Sequence, residues 1–577
     1  MKLNKILVTL LSSGYFVSGH ALTIGAGETY EQSILSTSNK PVNSCLVGIS
    51  ATSKQIELSS TDIKGNLPFS RTYTTTLQLD YKPEFRNADG KSLDGAFAVS
   101  YLENRAFIGI GWSHNYDFRL LTFGNTQYNA NRLYILSLPG ESYPTTLKKQ
   151  SDGSYKVVST IFDEHPSPDT EFNVTDDDNT NITIKRKGVE YTFKALSGTR
   201  YLLENFYVTK IKYPGGKVID MTYSPGSRSG VVVAHFLTGV SDNQGNSLKI
   251  NRINLDGADT SPLSLKLQGS IASVESNSNA LNKQTVNYTY EPVTYYRQGS
   301  NQENFILTKA VSTANGAEDY SYNKSYVHKG LYTDAQQTVR GVSIPIISGY
   351  SKQGTLLRTW EANDNSISSY TDKTKDLGVL KFTEDFSQIV NDQPYYQKST
   401  LTLTPPSPST SPLASEVFTV ENGSNSEGPA VAYLATSTAP SCLTYDEKPV
   451  KSLLFKKDTR QLVRVVDKNN NRTDLQYDNK NRLTNRTEAA GSTSARTTTA
   501  TYTTDFDIPS TVQRGNITQT NTINTLGQIT KSTLTSSQTG STAKATDYTY
   551  LANGLLSTVD GPRTGITDKV TYTYDAY

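Results

Sequence analysis

Residues Tyr477 to Leu483 read Tyr-Asp-Asn-Lys-Asn-Arg-Leu, a strand that ends, turns and restarts, and weaker copies recur to the last residues, where Tyr574-Asp575 opens another. The copies start at Lys456, Tyr477, Tyr502, Ile523, Tyr550 and Tyr574, spaced 21 to 27 residues apart. A period of that length predicts hairpins stacked side by side in one sheet. The fifth position of each copy must bend the chain, and Asn481, Gly527 and Gly554 are types that tolerate positive φ. In two other copies Arg460 and Phe506 occupy it, and both call for a wider turn.

A chain of 577 residues ordinarily suggests several domains of roughly 150 residues. A repeat array escapes that prior by adding hairpins to a continuous sheet, so fewer and longer units are expected. The 36 tyrosines outnumber the 18 phenylalanines, and Trp and Met occur twice each. That balance favours half-wet sheet faces over a large aliphatic core, since a tyrosine ring packs across strands while its hydroxyl finds a polar partner. The expected fold class is therefore all-β, an extended antiparallel sheet of stacked hairpins.

The net charge of +2 gives no field that would gather nucleic acid or an anionic membrane. Lys2 and Lys5, the apolar run Ile6 to Val17, and small residues at Gly19 and Ala21 read as a secretory signal cut after Ala21. The protein is thus expected to be secreted or at the cell surface. No other stretch approaches the roughly 20 apolar residues of a spanning helix. Cys45 and Cys442 are the two cysteines; export permits a disulfide, and the sequence leaves their pairing open.

Five segments follow: the signal at 1–21, a polar lead at 22–60, a β-rich region at 61–400, a Pro/Ser/Gly-rich linker or loop at 401–440, and the repeats at 441–577, cut in mid-copy. Leu67-Pro68-Phe69-Ser70-Arg71-Thr72-Tyr73 opens the first alternating stretch. In the run Gly109 to Leu120, Trp112, His114, Tyr116 and Phe118 share one face. Tyr288 with Tyr290, and Tyr320 with Tyr322, place ring pairs at period two, in the manner of eroded repeats. The prolines of 404–412 cannot join an interior ladder.

The Leu-Pro-Phe-x-Arg-x-Tyr stretch at 67–73, Gly-x-Gly-Trp-Ser-His-Asn-Tyr-Asp at 109–117, the turn Tyr213-Pro214-Gly215-Gly216-Lys217 and the Tyr-Asp copies together resemble the bacterial Rhs/YD-repeat family, over residues 45 to 577. The resemblance implies a sheet that spirals into a partial shell and sequesters a C-terminal toxin cargo by steric exclusion, with no catalytic residue in the wall. The chain carries no Asp-Pro dipeptide, which such proteins use in a self-cleaving end. Self-cleavage and the toxin are therefore expected to be missing, and the partners are the cargo or the remainder of the shell.

Packing competes with every other chemistry these residues offer. Ser113 and His114 are adjacent on a strand and face opposite ways, so Ser113, His114 and Asp117 do not make a nucleophile and its base. Asp467, Asn469, Asn471, Thr473 and Asp478 match a calcium-loop count, but Arg472 stands where that loop needs glycine. The scattered histidines have no zinc spacing. Tyrosine-rich faces leave surface glycans as an alternative partner and carbohydrate binding or adhesion as an alternative function. No residue is assigned to catalysis, cofactor or metal; the structural anchors are Trp112, His114, Tyr116, Tyr477, Asp478, Leu483, Tyr550 and Tyr574.

Overall fold

The computed structural model describes residues 56–74, 107–123, 133–139, 145–149, 152–153, 155–160, 173–177, 181–186, 188–196, 204–228, 231–277, 283–297, 300–324, 327–333, 339–343, 345–363, 366–372, 379–385, 398–404, 418–422, 431–437, 444–445, 448–456, 462–480, 482–503, 506–563, 565 and 568–574. The signal and lead up to residue 55, both cysteines, Arg460 and Asn481 lie outside them.

The alternating stretch at Phe69 does form a strand, and it belongs to a small sheet of its own. In it β1 (Glu57–Ile63) pairs with β2 (Phe69–Thr74), and β2 pairs with β3 (Trp112–His114), all antiparallel. Tyr73 faces Trp112 and Arg71 faces His114 across the second ladder. Period-two alternation therefore puts Phe69, Arg71, Tyr73, Trp112 and His114 on one buried face. A bulge between Thr61 and Ile63 leaves Asp62 out of register. The extra residue lets Asp62 and Ile63 both turn inward, where strict alternation would expose one of them.

The second sheet is continuous and antiparallel. From Asn173–Asp177 to Lys569–Thr571 nearly every strand pairs with its sequence neighbours, the pattern that short hairpin turns enforce. It is not closed into a barrel. It forks at strand Glu204–Lys212: on one edge Lys210–Lys212 pair with Val218–Asp220, while Glu204–Phe206 pair with Leu120–Thr122. Strand Gly316–Asn323 pairs directly with Ile346–Lys352, because the hairpin Val327–Thr333 and Val339–Ser343 forms a separate two-stranded sheet.

Within 401–440, strands Phe418–Asn422 and Val431–Ser437 carry the ladder onward, and the proline-rich residues 405–417 lie outside the described residues.

The small sheet packs on the strands around Thr285–Arg297, Ser300–Ser312, Gly316–Asn323 and Ile346–Lys352, and their buried side chains form one core running from Ile56 to Leu483. Gly109 permits part of this approach. A Cβ there would lie 2.7 Å from the backbone nitrogen of Leu307, and its φ of 106° is one that side chains avoid. Helix is confined, among the described residues, to the single turn Pro262–Lys266. No helix there is long and apolar enough to cross a membrane.

Candidate functional site

Two arrangements set this molecule apart from a plain sheet: a buried charge cluster beneath β1–β3, and a row of repeat turns along one rim.

Arg71 has no exposed surface. Its Nε donates to Asp62 Oδ2 at 2.7 Å and its Nη2 to Glu318 Oε2 at 2.5 Å, so one guanidinium holds two carboxylates. Nη1 donates to the Tyr320 hydroxyl at 2.6 Å, and that hydroxyl donates to Glu318 at 2.8 Å. Tyr288 donates to Asp62 at 2.7 Å and Tyr350 to Glu318 at 3.1 Å. The Trp112 ring lies 4.8 Å from the guanidinium carbon, close enough for a cation–π contact. Partners from both sheets thus meet at one cation, and desolvation makes them costly to separate.

The two carboxylates differ. Burial pushes Asp62 up despite the Arg71 charge beside it. At Glu318 burial also pushes upward, but the Arg71 charge and hydrogen bonds from Tyr320, Arg71 and Ser60 prevail and hold the group below its ordinary value. Burial likewise raises the hydroxyls of Tyr288 and Tyr320, keeping both as neutral donors. Burial thus prevails at Asp62, and the Arg71 charge with its hydrogen bonds prevails at Glu318.

The sequence-derived residues of this region sit around the cluster. Trp112 is buried, and its Nε1 donates to the Tyr322 hydroxyl at 3.0 Å. His114 packs its ring against Phe69 and accepts the Tyr116 N–H at Nδ1. The Tyr116 hydroxyl donates to the Pro68 carbonyl at 2.8 Å, locking the entrance to β2. Ser113 lies on the opposite face of β3 from His114, and Asp117 pairs with Arg119 at 2.7 Å.

One turn geometry recurs in the sheet, both in the repeats and outside them. Asp478 accepts the N–H groups of Lys480 and Arg482 and the Nε of Arg482. Asp242, Asp467 and Asn524 accept from the residues two and four positions on in the same way. In each the first residue's N–H also bonds the carbonyl four residues on. Asp467, the first position of the calcium-like count, thus closes a turn with its carboxylate. Gly527 and Gly554 take φ of 78° and 85° at the bending position.

Tyrosines staple four of the copies to the one before, while the copy that opens on Ile523 has no hydroxyl to do so. Tyr477 donates to the Leu462 carbonyl, Tyr502 to Leu483, Tyr550 to Ile529 and Tyr574 to Leu556, at 2.7–2.9 Å. Leu483 is buried beneath. Arg482 reaches forward to the Thr503 carbonyl at 2.7 Å and lies over the Tyr502 ring. Phe506, at a bending position, places its ring where a side chain on Gly527 would be.

The row meets a distant turn. Gly215, in the Tyr213–Lys217 turn, donates its N–H to the Leu526 carbonyl at 2.5 Å, and Gln528 Nε2 donates to the Gly215 carbonyl at 2.7 Å across 313 residues. A Cβ on Gly554 would lie 2.3 Å from that same carbonyl. The sheet therefore bends until late repeats touch its early part.

Sequence reasoning singled out Trp112, His114 and Tyr116 but not Asp62, Arg71 or Glu318. Arg71 lies inside the quoted 67–73 stretch, and Tyr288 and Tyr320 in the Tyr-x-Tyr pairs; an arginine at an inward strand position was the available signal.

No family model matches the chain, and no curated protein matches it. Among solved structures it aligns with TcdB2-TccC3 without its hypervariable C-terminal region, at 9% identity over 88% of this chain and 31% of that one, TM-score 0.28. The Photorhabdus luminescens Tc holotoxin pore with a substituted TccC3 aligns at 12% identity over 90% and 26%, TM-score 0.29. TcdB2-TccC3 aligns at 9% over 90% and 33%, TM-score 0.29. This chain spans about a third or less of the length of each. At these TM-scores the alignments define no common fold; register and turn geometry define this one.

Proposed function

We propose that this chain is a wall segment of an exported Rhs/YD-repeat shell, a non-enzymatic protein that encloses or presents a C-terminal toxin cargo, alone or with the remainder of the shell. The observation that carries the reading is the contact between the Tyr213–Lys217 turn and repeat turns 313 residues away. A sheet that curves back on itself acquires an inside and an outside, and exclusion by shape needs no reactive group. The quoted motifs supply the family resemblance. The repeat tyrosines support a wall over a sugar platform, since their hydroxyls are bonded to neighbouring backbone carbonyls.

Electron microscopy of the purified chain tests this: averages with a curved wall around low central density are expected, and a filled compact particle would overturn the reading. Export is tested separately by expressing the chain with its first 21 residues and sequencing the N-terminus of the secreted product. Leu22 is the expected first residue, and retention of the whole chain in the cytoplasm counts against export.

A further inference from the structure

The Tyr213–Lys217 turn is held very differently on its two sides. Toward the early strands, Tyr213 packs against the core. Lys217 Nζ donates to the Asn66 carbonyl at 2.7 Å and lies 3.5 Å from the buried Asp242 carboxylate. Asn243 Nδ2 donates to the Gly216 carbonyl at 2.9 Å. Toward the late repeats, the polar contacts are the Gly215 N–H to Leu526 and the Gln528 amide to Gly215. Leu526 leaves 52% of its surface exposed there, and the apolar contact shown across the joint is Pro214 beside Gly527. Gly554 completes it by lacking a side chain, since Gly215 O and Gly216 C occupy the space a methyl would take.

We propose that this turn is a clasp, fixed to the early strands and releasable from turns 524–528 and 551–555, so that the wall parts along this joint while its ladders stay paired. Water can replace both hydrogen bonds as the joint opens, whereas parting any ladder nearby would break a full row of them. The clasp deepens the shell reading by giving the wall a place to open, and it rests on that reading for its purpose. Its test reads the joint alone, so a hollow particle with a fixed joint and a compact particle with a releasable one remain distinguishable.

Gly554→Ala and Gly540→Ala form the decisive pair. Both glycines have φ above 80°, but nothing lies within 4 Å of a Cβ at Gly540. The two variants therefore share the backbone strain, and Gly554→Ala alone blocks the joint. Hydrogen exchange of the full-length chain, followed at the Gly215 amide, is the readout. In the unmodified protein that amide is expected to exchange faster than the ladder amides of Ile529–Ser536. Gly554→Ala should speed it at least tenfold over Gly540→Ala while Lys544–Tyr550 and Leu556–Asp560 keep their protection. Gln528→Ala, at a position without positive φ, removes the side-chain amide's hydrogen bonds to Gly215 and to Asn524 and should give a smaller rise in the same place. The clasp is overturned if Gly215 exchanges as slowly as the ladder in the unmodified protein, or if neither Gly554→Ala nor Gln528→Ala changes its rate.

Discussion

The early strands and the late repeats are built from the same hairpins, yet they are stabilised differently. Beneath β1–β3 the main sheet is covered by a second layer, and polar groups there are enclosed: Asp62, Arg71 and Glu318 are all buried. Past Leu483 the sheet stands largely uncovered, and strands such as Arg496–Tyr502 and Lys544–Tyr550 have no buried residue at all. Where layers stack, each side chain is constrained by partners far away in sequence. In the single-layer part, register, turns and tyrosine staples do the work, each contributing a modest local term.

The sharpest way to break this contrast is to remove Arg71. Arg71→Ala strands two carboxylates under the small sheet and should destabilise it by about 3–5 kcal/mol. Denaturant titration, with hydrogen exchange over residues 57–74, measures this; a loss no larger than that of a surface pair would mean the cluster does not hold the layers together. The triple change Asp62→Asn, Arg71→Met, Glu318→Gln should cost less than Arg71→Ala alone, because no charge is then left unpaired.

Next in size is a pair of hydroxyl deletions. Tyr288→Phe removes a hydrogen bond to a buried carboxylate and should cost about 1.5–3 kcal/mol, whereas Tyr550→Phe removes one to a half-exposed carbonyl and should cost about 0.5–1.5 kcal/mol. Equal losses in thermal denaturation would erase the distinction between the regions.

Acid separates the two carboxylates by sign. Because Asp62 is raised in the fold, the native state takes up its proton first, and stability should rise as pH falls from neutral through that raised value. Glu318 is lowered, so the stability it supplies is present above the ordinary glutamate range and is lost as pH falls through its native value. Asp62→Asn should flatten the first limb and Glu318→Gln the second, read as denaturation midpoints against pH. A smaller effect is expected on the late repeats. Asp474, shared by the partly exposed Arg464 and Arg472, should be worth less than about 1 kcal/mol, and Asp474→Ala should lose even that in high salt.

This division also explains what could be read in advance. The repeat turns were legible because their chemistry is local: Asp478 acts on residues two and four positions away, and Gly527 and Gly554 are needed where they stand. The uncovered late strands have the plainest pattern for the same reason. The charge cluster was not legible, because Arg71 and Glu318 are 247 residues apart and nothing near either one names the other. The bulge that turns Asp62 inward breaks the very alternation used to read strands. Phe506 read as a departure at a bending position; its ring fills the space beside Gly527, a relation between copies that no single copy displays.

The backward direction of the tyrosine staples gives the array an arrow in time. A copy whose successor opens on tyrosine is finished only when that successor arrives, since Tyr502 completes Leu483 and Tyr574 completes Leu556. A chain emerging from the ribosome N-terminus first therefore sets its hairpins one after another, and the newest is the loosest. Pulled from the C-terminal end, the same array unzips in reverse order, last-made copy first.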